Sequence, residues 1–139
     1  KTLIDTTEIN IRFSEVDSIA IVWHGNYVKY FEDGRESFGR KFGLKYLDIY
    51  DEGFVTPIVK MNLEYKRPLI YGDSAIVETK FVNHLASKIH FKYTIFRKSD
   101  GEIACSGETV QVFLDDKREL MLMPPQFFED WKKKMGLIS

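Results

Sequence analysis

The chain has 139 residues, of which 44% are hydrophobic and 29% are charged, a balance typical of globular proteins. Its length suits a single domain with one core over residues 1–139. The formal net charge of -1 gives no electrostatic reason to expect nucleic acid as a partner.

The one cysteine, Cys105, excludes an internal disulfide, and no Cys or His spacing predicts a metal site. The apolar runs are too short to cross a membrane, and Lys1–Asn10 lacks the apolar core of a signal peptide. We therefore expect a cytoplasmic protein that has no membrane partner.

The first patterns along the chain predict a strand and a long helix. Polar and apolar residues alternate over Glu8–Ser14, as in a half-buried strand, and lead into the acidic turn Glu15–Ser18. Within Tyr27–Phe42, aromatic residues and a glycine recur at three- and four-residue steps on one helical face. The predicted helix starts at Asn26, where that residue or a neighbour can cap it, and ends near Gly43.

The rest of the chain consists mainly of β-branched and aromatic runs that are typical of strands. After a short helical turn at Leu44–Asp51, the predicted strands are Val55–Lys66, Ser74–Asn83, Lys88–Lys98 and Ile103–Asp115. Turn residues at Tyr71–Asp73 and Ser99–Gly101 favour pairing of sequence neighbours as a meander.

A terminal helix is predicted at Gln126–Met135, with the solvated lysines Lys132–Lys134 near its negative end. The element order is one strand, a long apolar helix, four strands and a short helix. This order predicts an α+β hotdog fold, a curved antiparallel sheet wrapped around one long central helix.

The segment between the first strand and the long helix carries candidate chemistry for thioester hydrolysis. That reaction needs a nucleophile or general base beside the carbonyl carbon, and donors for the negative charge that develops on the oxygen. Asp17, in the loop, can supply the carboxylate. The backbone N–H groups of His24 and Gly25, at the helix start, can supply the donors.

The segment Ile11–Glu32 resembles the signature of the 4-hydroxybenzoyl-CoA thioesterase family and its acyl-CoA thioesterase relatives. The resemblance continues in Thr56–Val59, Leu63–Pro68, Tyr71–Asp73 and Arg97–Gly101, and covers roughly residues 7–115. It implies an acyl-CoA substrate, a homodimer or homotetramer in which two hotdogs join their sheets, and no metal or organic cofactor.

The resemblance also implies roles for individual residues. By position, Asp17 matches the family's catalytic aspartate, and His24 matches the residue whose backbone N–H polarises the thioester carbonyl. Asn26 and Tyr27 match the dipeptide at the helix start. The predicted substrate-binding residues are Val22, Trp23, Thr56, Val59 and Lys88.

The chain departs from the family pattern at two places. The family commonly has glycine where this chain has Ala20, and some members place arginines for the nucleotide phosphates where this chain has His84–Lys88. Lys88 is the local candidate for phosphate binding. Lys66, Arg67 or a partner subunit are the other candidates.

Some of these residues also have simpler interpretations. An aspartate in a turn commonly accepts hydrogen bonds from its own backbone. His24 either titrates near neutral pH or acts only through its backbone, and we favour the backbone. Glu32 is a second candidate for the catalytic carboxylate, since another hotdog lineage places its catalytic carboxylate on this helix. The charged residues around Glu32 suggest instead that it lies on the solvated face of the helix. Cys105 is predicted to be a small buried side chain rather than a nucleophile.

We predict an acyl-CoA thioesterase that hydrolyses an acyl-CoA to a free carboxylic acid and CoA, with Asp17 as nucleophile or general base. One alternative is an acyl-carrier-protein thioesterase. A hotdog hydratase or dehydratase would instead use a histidine or a helix carboxylate over the acyl β-carbon. A non-catalytic acyl-CoA binding module would lack the Asp17 carboxylate or the open helix start. The identity of the acyl group stays open.

Overall fold

The computed structural model describes residues 1–139 and has the predicted α+β hotdog architecture, with one long helix against a curved antiparallel sheet. The elements are β1 (Ile4–Asn10), a 3-10 turn (Phe13–Glu15), α1 (Asn26–Phe42), α2 (Tyr46–Asp51), β2 (Ile58–Tyr65), β3 (Ser74–Val82), β4 (Lys88–Arg97), β5 (Ile103–Val112) and α3 (Gln126–Lys134). None of the helices combines the length and apolarity needed to cross a lipid bilayer.

The strands follow the order β1-β3-β4-β5-β2, and every neighbouring pair is antiparallel. Strands β3, β4 and β5 form the predicted meander, but β2 pairs with β5, so the prediction that it pairs with β3 is wrong. The connection between β2 and β3 does not form a tight hairpin. Its backbone instead bonds to the loop before α1, through Leu69 O to Val22 N–H and Tyr71 N–H to Ala20 O.

Strand β1 lies earlier in the chain than the alternating pattern predicts. Its partner strand β3 begins at Ser74, which lies opposite Asn10, so the backbone beyond Asn10 has no strand to pair with. The chain there bends into the 3-10 turn, where the Arg12 N–H donates to Glu15 Oε1 at 2.8 Å. The prediction of a strand continuing to Ser14 is therefore wrong.

Helix α1 buries the aromatic face that its spacing predicts. Phe31 and Phe38 are fully buried, and the ring of Phe31 stacks on Tyr93 of β4 with a centroid distance of 4.3 Å. At Gly34 the helix approaches the sheet so closely that a Cβ atom would clash with Thr79. The helix ends as predicted at Gly43, whose φ of 76° is left-handed.

Helix α3 closes one end of the core, and its first lysine is buried rather than solvated as predicted. Lys132 is 1% exposed; its Nζ donates to His84 O at 2.6 Å and lies 4.6 Å from the centre of the Phe128 ring. Burial lowers the pKa of Lys132. The adjacent Trp131 donates its indole N–H to Phe42 O at 2.7 Å, which fixes α3 against the end of α1.

Two half-buried histidines form a pair next to this helix. Nε2 of His84 lies 2.8 Å from Nδ1 of His90, and their rings stack with centroids 5.1 Å apart. Burial is the main cause that lowers the pKa of both imidazoles, with Lys88 contributing at each. Glu108 Oε2 lies 3.7 Å from His90 Nε2 and opposes this shift only in part. Because the bond between the rings needs one donor and one acceptor, it is lost when both rings are protonated.

We expect the free energy of unfolding to fall between about pH 7.5 and about pH 5.5, because the unfolded chain protonates these two histidines more readily than the folded chain does. His90→Gln removes one titrating ring and should lose less stability over this interval. Urea unfolding at both pH values measures the difference, with the exposed His24→Gln as the control. Equal pH dependence in His90→Gln and the wild type would contradict this account.

Candidate active site

The loop between the 3-10 turn and α1 is held in place by backbone contacts on both sides. Val16 forms an isolated bridge with Val22, and Ile21 forms one with Ile70 of the β2–β3 connection. The Val22 N–H donates to Leu69 O at 2.8 Å. The loop that carries Asp17 is thus anchored to the sheet side of the molecule before the helix begins.

Asp17 uses one carboxylate oxygen for structure and leaves the other available. Its Oδ1 accepts the backbone N–H groups of Ile19 at 2.9 Å and Ile21 at 3.3 Å. This is the turn-stabilising role of the simpler interpretation. The second oxygen, Oδ2, accepts no hydrogen bond within the chain, and the side chain is exposed. The carboxylate is therefore oriented by one oxygen while the other is open to a substrate or a water.

The start of α1 presents unpaired donors. Gly25 is the N-cap residue and no side chain caps the helix. The backbone N–H groups of His24 and Gly25 donate no hydrogen bond within the chain, whereas the next one, from Asn26, donates to Trp23 O at 2.9 Å. Unpaired N–H groups at a helix start attract developing negative charge. Two unpaired donors therefore lie at the helix start, and their role towards a substrate stays a prediction.

Of the residues that the sequence offers as the N-cap, Asn26 or a neighbour, it is the neighbour Gly25 that occupies this position, and the Asn26 side chain does not cap the helix. Its side-chain Nδ2 instead donates to Glu15 O at 2.8 Å, and the Trp23 N–H donates to the same oxygen at 2.9 Å. Glu15 is buried and lies two residues before Asp17. The Asn26 side chain thus ties the helix start to the loop that holds the carboxylate.

Asp17 and His24 both line one cleft of about 340 Å³. It is lined by Asp17, Ile21, Val22, Trp23, His24, Tyr27, Tyr65, Lys66, Arg67 and Pro68. The Trp23 indole packs directly on the Cα of Gly25, where a Cβ atom would otherwise lie. The sequence predicts a site role for seven of these ten residues and misses Ile21, Tyr65 and Pro68. The only sequence signal of Tyr65 is that it is an aromatic residue near the end of a predicted strand.

Three predicted substrate-binding residues lie outside this cleft in the single chain. Thr56 is buried beside a separate cavity of about 390 Å³, which Glu32 also lines. Val59 is 60% exposed at a bulge in the edge strand β2. Lys88 begins β4 next to the histidine pair. One chain does not bring these residues, or the second candidate carboxylate Glu32, to Asp17.

Comparison with known proteins places this architecture in a family. A family model for the Thioesterase-like superfamily matches residues 11–131. The chain belongs to this superfamily. The predictions of a hotdog fold and of a thioester hydrolase are thereby confirmed.

Individual relatives agree with this assignment. YneP of Bacillus subtilis (strain 168), provisionally named as an acyl-CoA thioesterase, is 31% identical over 124 residues, which cover 89% of each chain. The crystal structure of the DHNA-CoA thioesterase from Staphylococcus aureus superimposes with a TM-score of 0.84 at 28% identity, covering 96% of this chain and 89% of that one. The chloroplastic acyl-acyl carrier protein thioesterase ATL3 of Arabidopsis thaliana is 25% identical over 84% of this chain and 62% of its own length.

Two titratable side chains near the site of this hotdog hydrolase are kept neutral. Cys105 is fully buried, as predicted, and burial raises the pKa of its thiol to about 11. Burial also raises the pKa of Tyr27. Neither group is therefore ionised near neutral pH, and Asp17 is the carboxylate of the cleft.

Ala20, where the family commonly has glycine, adopts a left-handed backbone with φ of 62°. This conformation is unfavourable for a residue that carries a Cβ atom. The strain lies in the anchored loop three residues after Asp17, and the Ala20 carbonyl accepts the Tyr71 N–H at 3.1 Å. A glycine at this position would adopt the same backbone conformation without the strain.

We predict that Ala20→Gly stabilises the protein by about 1 kcal/mol, because relief of left-handed strain outweighs the added entropy of the unfolded chain. Chemical unfolding measures the change. The matched control is Ala86→Gly, at an exposed position without positive φ, which should be neutral or slightly destabilising. A destabilised Ala20→Gly variant would show that the loop is not strained there.

Proposed function

We propose that the protein hydrolyses acyl-CoA thioesters to a free carboxylic acid and CoA. The observation that carries this proposal is that Asp17, with an open carboxylate oxygen, and His24, with an unpaired backbone N–H, line one cleft, and that the unpaired N–H of Gly25 follows directly in the chain. The carboxylate can attack or activate water, and the N–H groups can stabilise the oxyanion. The similarity to YneP and to the staphylococcal DHNA-CoA thioesterase supports the same substrate class.

In the proposed reaction the thioester carbonyl oxygen points at the helix start and its carbon faces Asp17 Oδ2. The carboxylate either adds to this carbon, giving a mixed anhydride that water then cleaves, or removes a proton from a water that adds directly. Both routes release CoA as its thiol and use the same carboxylate. Neither route uses a metal or organic cofactor, so we expect chelation to leave the rate unchanged.

Two cationic side chains in the cleft favour CoA over an acyl-carrier protein as the carrier of the acyl group. Lys66 and Arg67 line the same cleft as Asp17. Each side chain is about half exposed and forms one surface ion pair: Lys66 with Glu64 at 3.3 Å, and Arg67 with Glu102 at 3.5 Å. Such surface pairs contribute little to stability, so phosphate groups can replace the carboxylates at little cost. The similarity to ATL3 keeps acyl-carrier-protein substrates as the second candidate.

We predict that Asp17→Asn lowers kcat by at least about 10²-fold. The asparagine side-chain oxygen can still accept both hydrogen bonds of the turn. The loss of activity therefore measures the removal of the negative charge and not a disturbed loop. His24→Ala keeps the backbone N–H and should stay within about twofold of the wild type. CoA release is followed with a thiol-trapping dye across short, medium, long and aromatic acyl-CoAs.

The control is Asp116→Asn, a carboxylate outside the cleft, which should behave as the wild type. Equal losses in Asp17→Asn and His24→Ala would contradict the backbone role of His24. A wild type that cleaves acyl-carrier-protein thioesters but no acyl-CoA would favour the second candidate.

We further propose that the active unit is a homo-oligomer joined at β2. This strand pairs only with β5, so its other edge has no strand partner within the chain. Val59 is an exposed apolar residue of that strand, and Thr56 lies just before the strand and lines a different cavity from Asp17. The family resemblance implies two hotdogs that join their sheets. A second copy added along β2 joins them in this way, and it can bring such residues to a neighbour's cleft.

We predict that Val59→Asp shifts the protein towards monomer in sedimentation equilibrium and lowers thioesterase activity in parallel, because a charge at a joined edge is costly to bury. The control is Leu85→Asp, which places the same charge on an exposed leucine in the loop between β3 and β4. A wild type that sediments as a monomer would contradict this arrangement.

A further inference from the structure

Tyr65 makes a contact with the site that neither the family resemblance nor the sequence pattern assigns. It is the last residue of β2, opposite Cys105 of β5. Its hydroxyl donates a hydrogen bond to the carbonyl oxygen of His24 at 3.1 Å, across 41 positions in the sequence. The bond joins an edge strand to the residue just before the helix start.

The ring of Tyr65 is held so that the hydroxyl stays in this place. It packs edge-on against the buried Tyr27, with centroids 5.3 Å apart, and against the His24 ring at 6.3 Å. The backbone is anchored by its pairing with β5. Tyr65 therefore meets the helix start as a rigid donor, although half of its surface is exposed.

The oxygen that Tyr65 contacts belongs to the same peptide group as the Gly25 N–H. The chain contains no cis peptide bond, so the His24 C=O and the Gly25 N–H point in opposite directions across one plane. A hydrogen bond to the oxygen fixes that plane and polarises the amide, which makes its N–H a stronger donor. The Tyr27 N–H also donates to this oxygen, at 3.4 Å, so the Tyr65 hydroxyl is the nearer of its two donors.

We propose that Tyr65 is a positioning residue, which holds and polarises the His24–Gly25 peptide so that the Gly25 N–H faces the thioester oxygen. The inference rests on the proposed function, because it gives Gly25 the task of stabilising the oxyanion. Tyr65 acts through that peptide and does not touch the reacting atoms. Its removal should therefore cost less than the roughly 10²- to 10³-fold loss expected for a missing oxyanion donor.

The first experiment compares Tyr65→Phe with the wild type on the best acyl-CoA of the panel. The substitution keeps the ring contacts and removes only the hydroxyl. We expect kcat to fall by about three- to tenfold while KM stays within about twofold, since the bond serves the transition state more than the bound substrate. The control is Tyr50→Phe, which removes the hydroxyl of a similarly exposed tyrosine on α2.

An unchanged kcat would overturn the inference. A rise in KM at constant kcat would also overturn it, because it would mean that the hydroxyl binds the substrate directly. Tyr65→Phe can lose some stability with this bond, so kcat is compared at a temperature at which both variants are fully folded.

A second readout does not depend on turnover. His24–Gly25 is the one His-Gly pair in the sequence, so protein labelled with carbonyl-¹³C histidine and ¹⁵N glycine carries a single doubly labelled peptide group. We expect both the ¹³C and ¹⁵N resonances of this group to move upfield in Tyr65→Phe and to stay in place in Tyr50→Phe. Unmoved resonances would overturn the inference.

The two readouts separate this inference from the proposed function. If the wild type cleaves acyl-CoA and Tyr65→Phe matches it in both readouts, the inference fails and the function stands. If the wild type is inert on every thioester, the proposed function fails, and the role of Tyr65 in catalysis fails with it even where the resonances move.

Discussion

The close approach of helix α1 to the sheet at Gly34 is the constraint on which the rest of the structure depends. A side chain there would clash with Thr79 and Val77, so the helix lies directly against the strands. This contact lets Phe31 stack on Tyr93 and buries the apolar face of the helix. Dispersion and hydrophobic burial at this contact fix the helix axis, and with it the position of the helix start.

The candidate site follows from that position. The helix start has no side-chain cap, and contacts from other residues hold it in place. The Asn26 side chain ties the helix to the preceding loop through Glu15 O, and Tyr65 holds the His24 carbonyl. Asp17 divides its oxygens in the same way, one for the turn and one left open. In both Asp17 and His24, one polar atom is held by hydrogen bonds within the chain and another is left available to a substrate.

The sequence predicts the features that depend on local pattern and misses those that depend on distant partners. The bounds of α1 follow from its periodicity and from the left-handed glycine at its end. The pairing of β2 with β5 cannot be predicted from local sequence, because the composition of a strand does not indicate which strand it pairs with. The β2–β3 connection also does not form a hairpin, since its backbone groups bond to the loop that carries Asp17. The contact of Tyr65 with His24 is not predicted either, because the two residues lie far apart in the sequence. The burial of Lys132 likewise depends on a distant partner, the carbonyl oxygen of His84.

The most direct test of the account is the carbonyl stretch of a bound thioester. Asp17→Asn should bind ¹³C-carbonyl-labelled acyl-CoA without cleaving it, and infrared difference spectroscopy then reports the polarity of the carbonyl bond. The account predicts a shift to lower frequency than in water, because two unpaired N–H groups at a helix start pull electron density towards the oxygen. A bound carbonyl at its solution frequency would mean that the helix start does not hold the thioester, and would contradict the account.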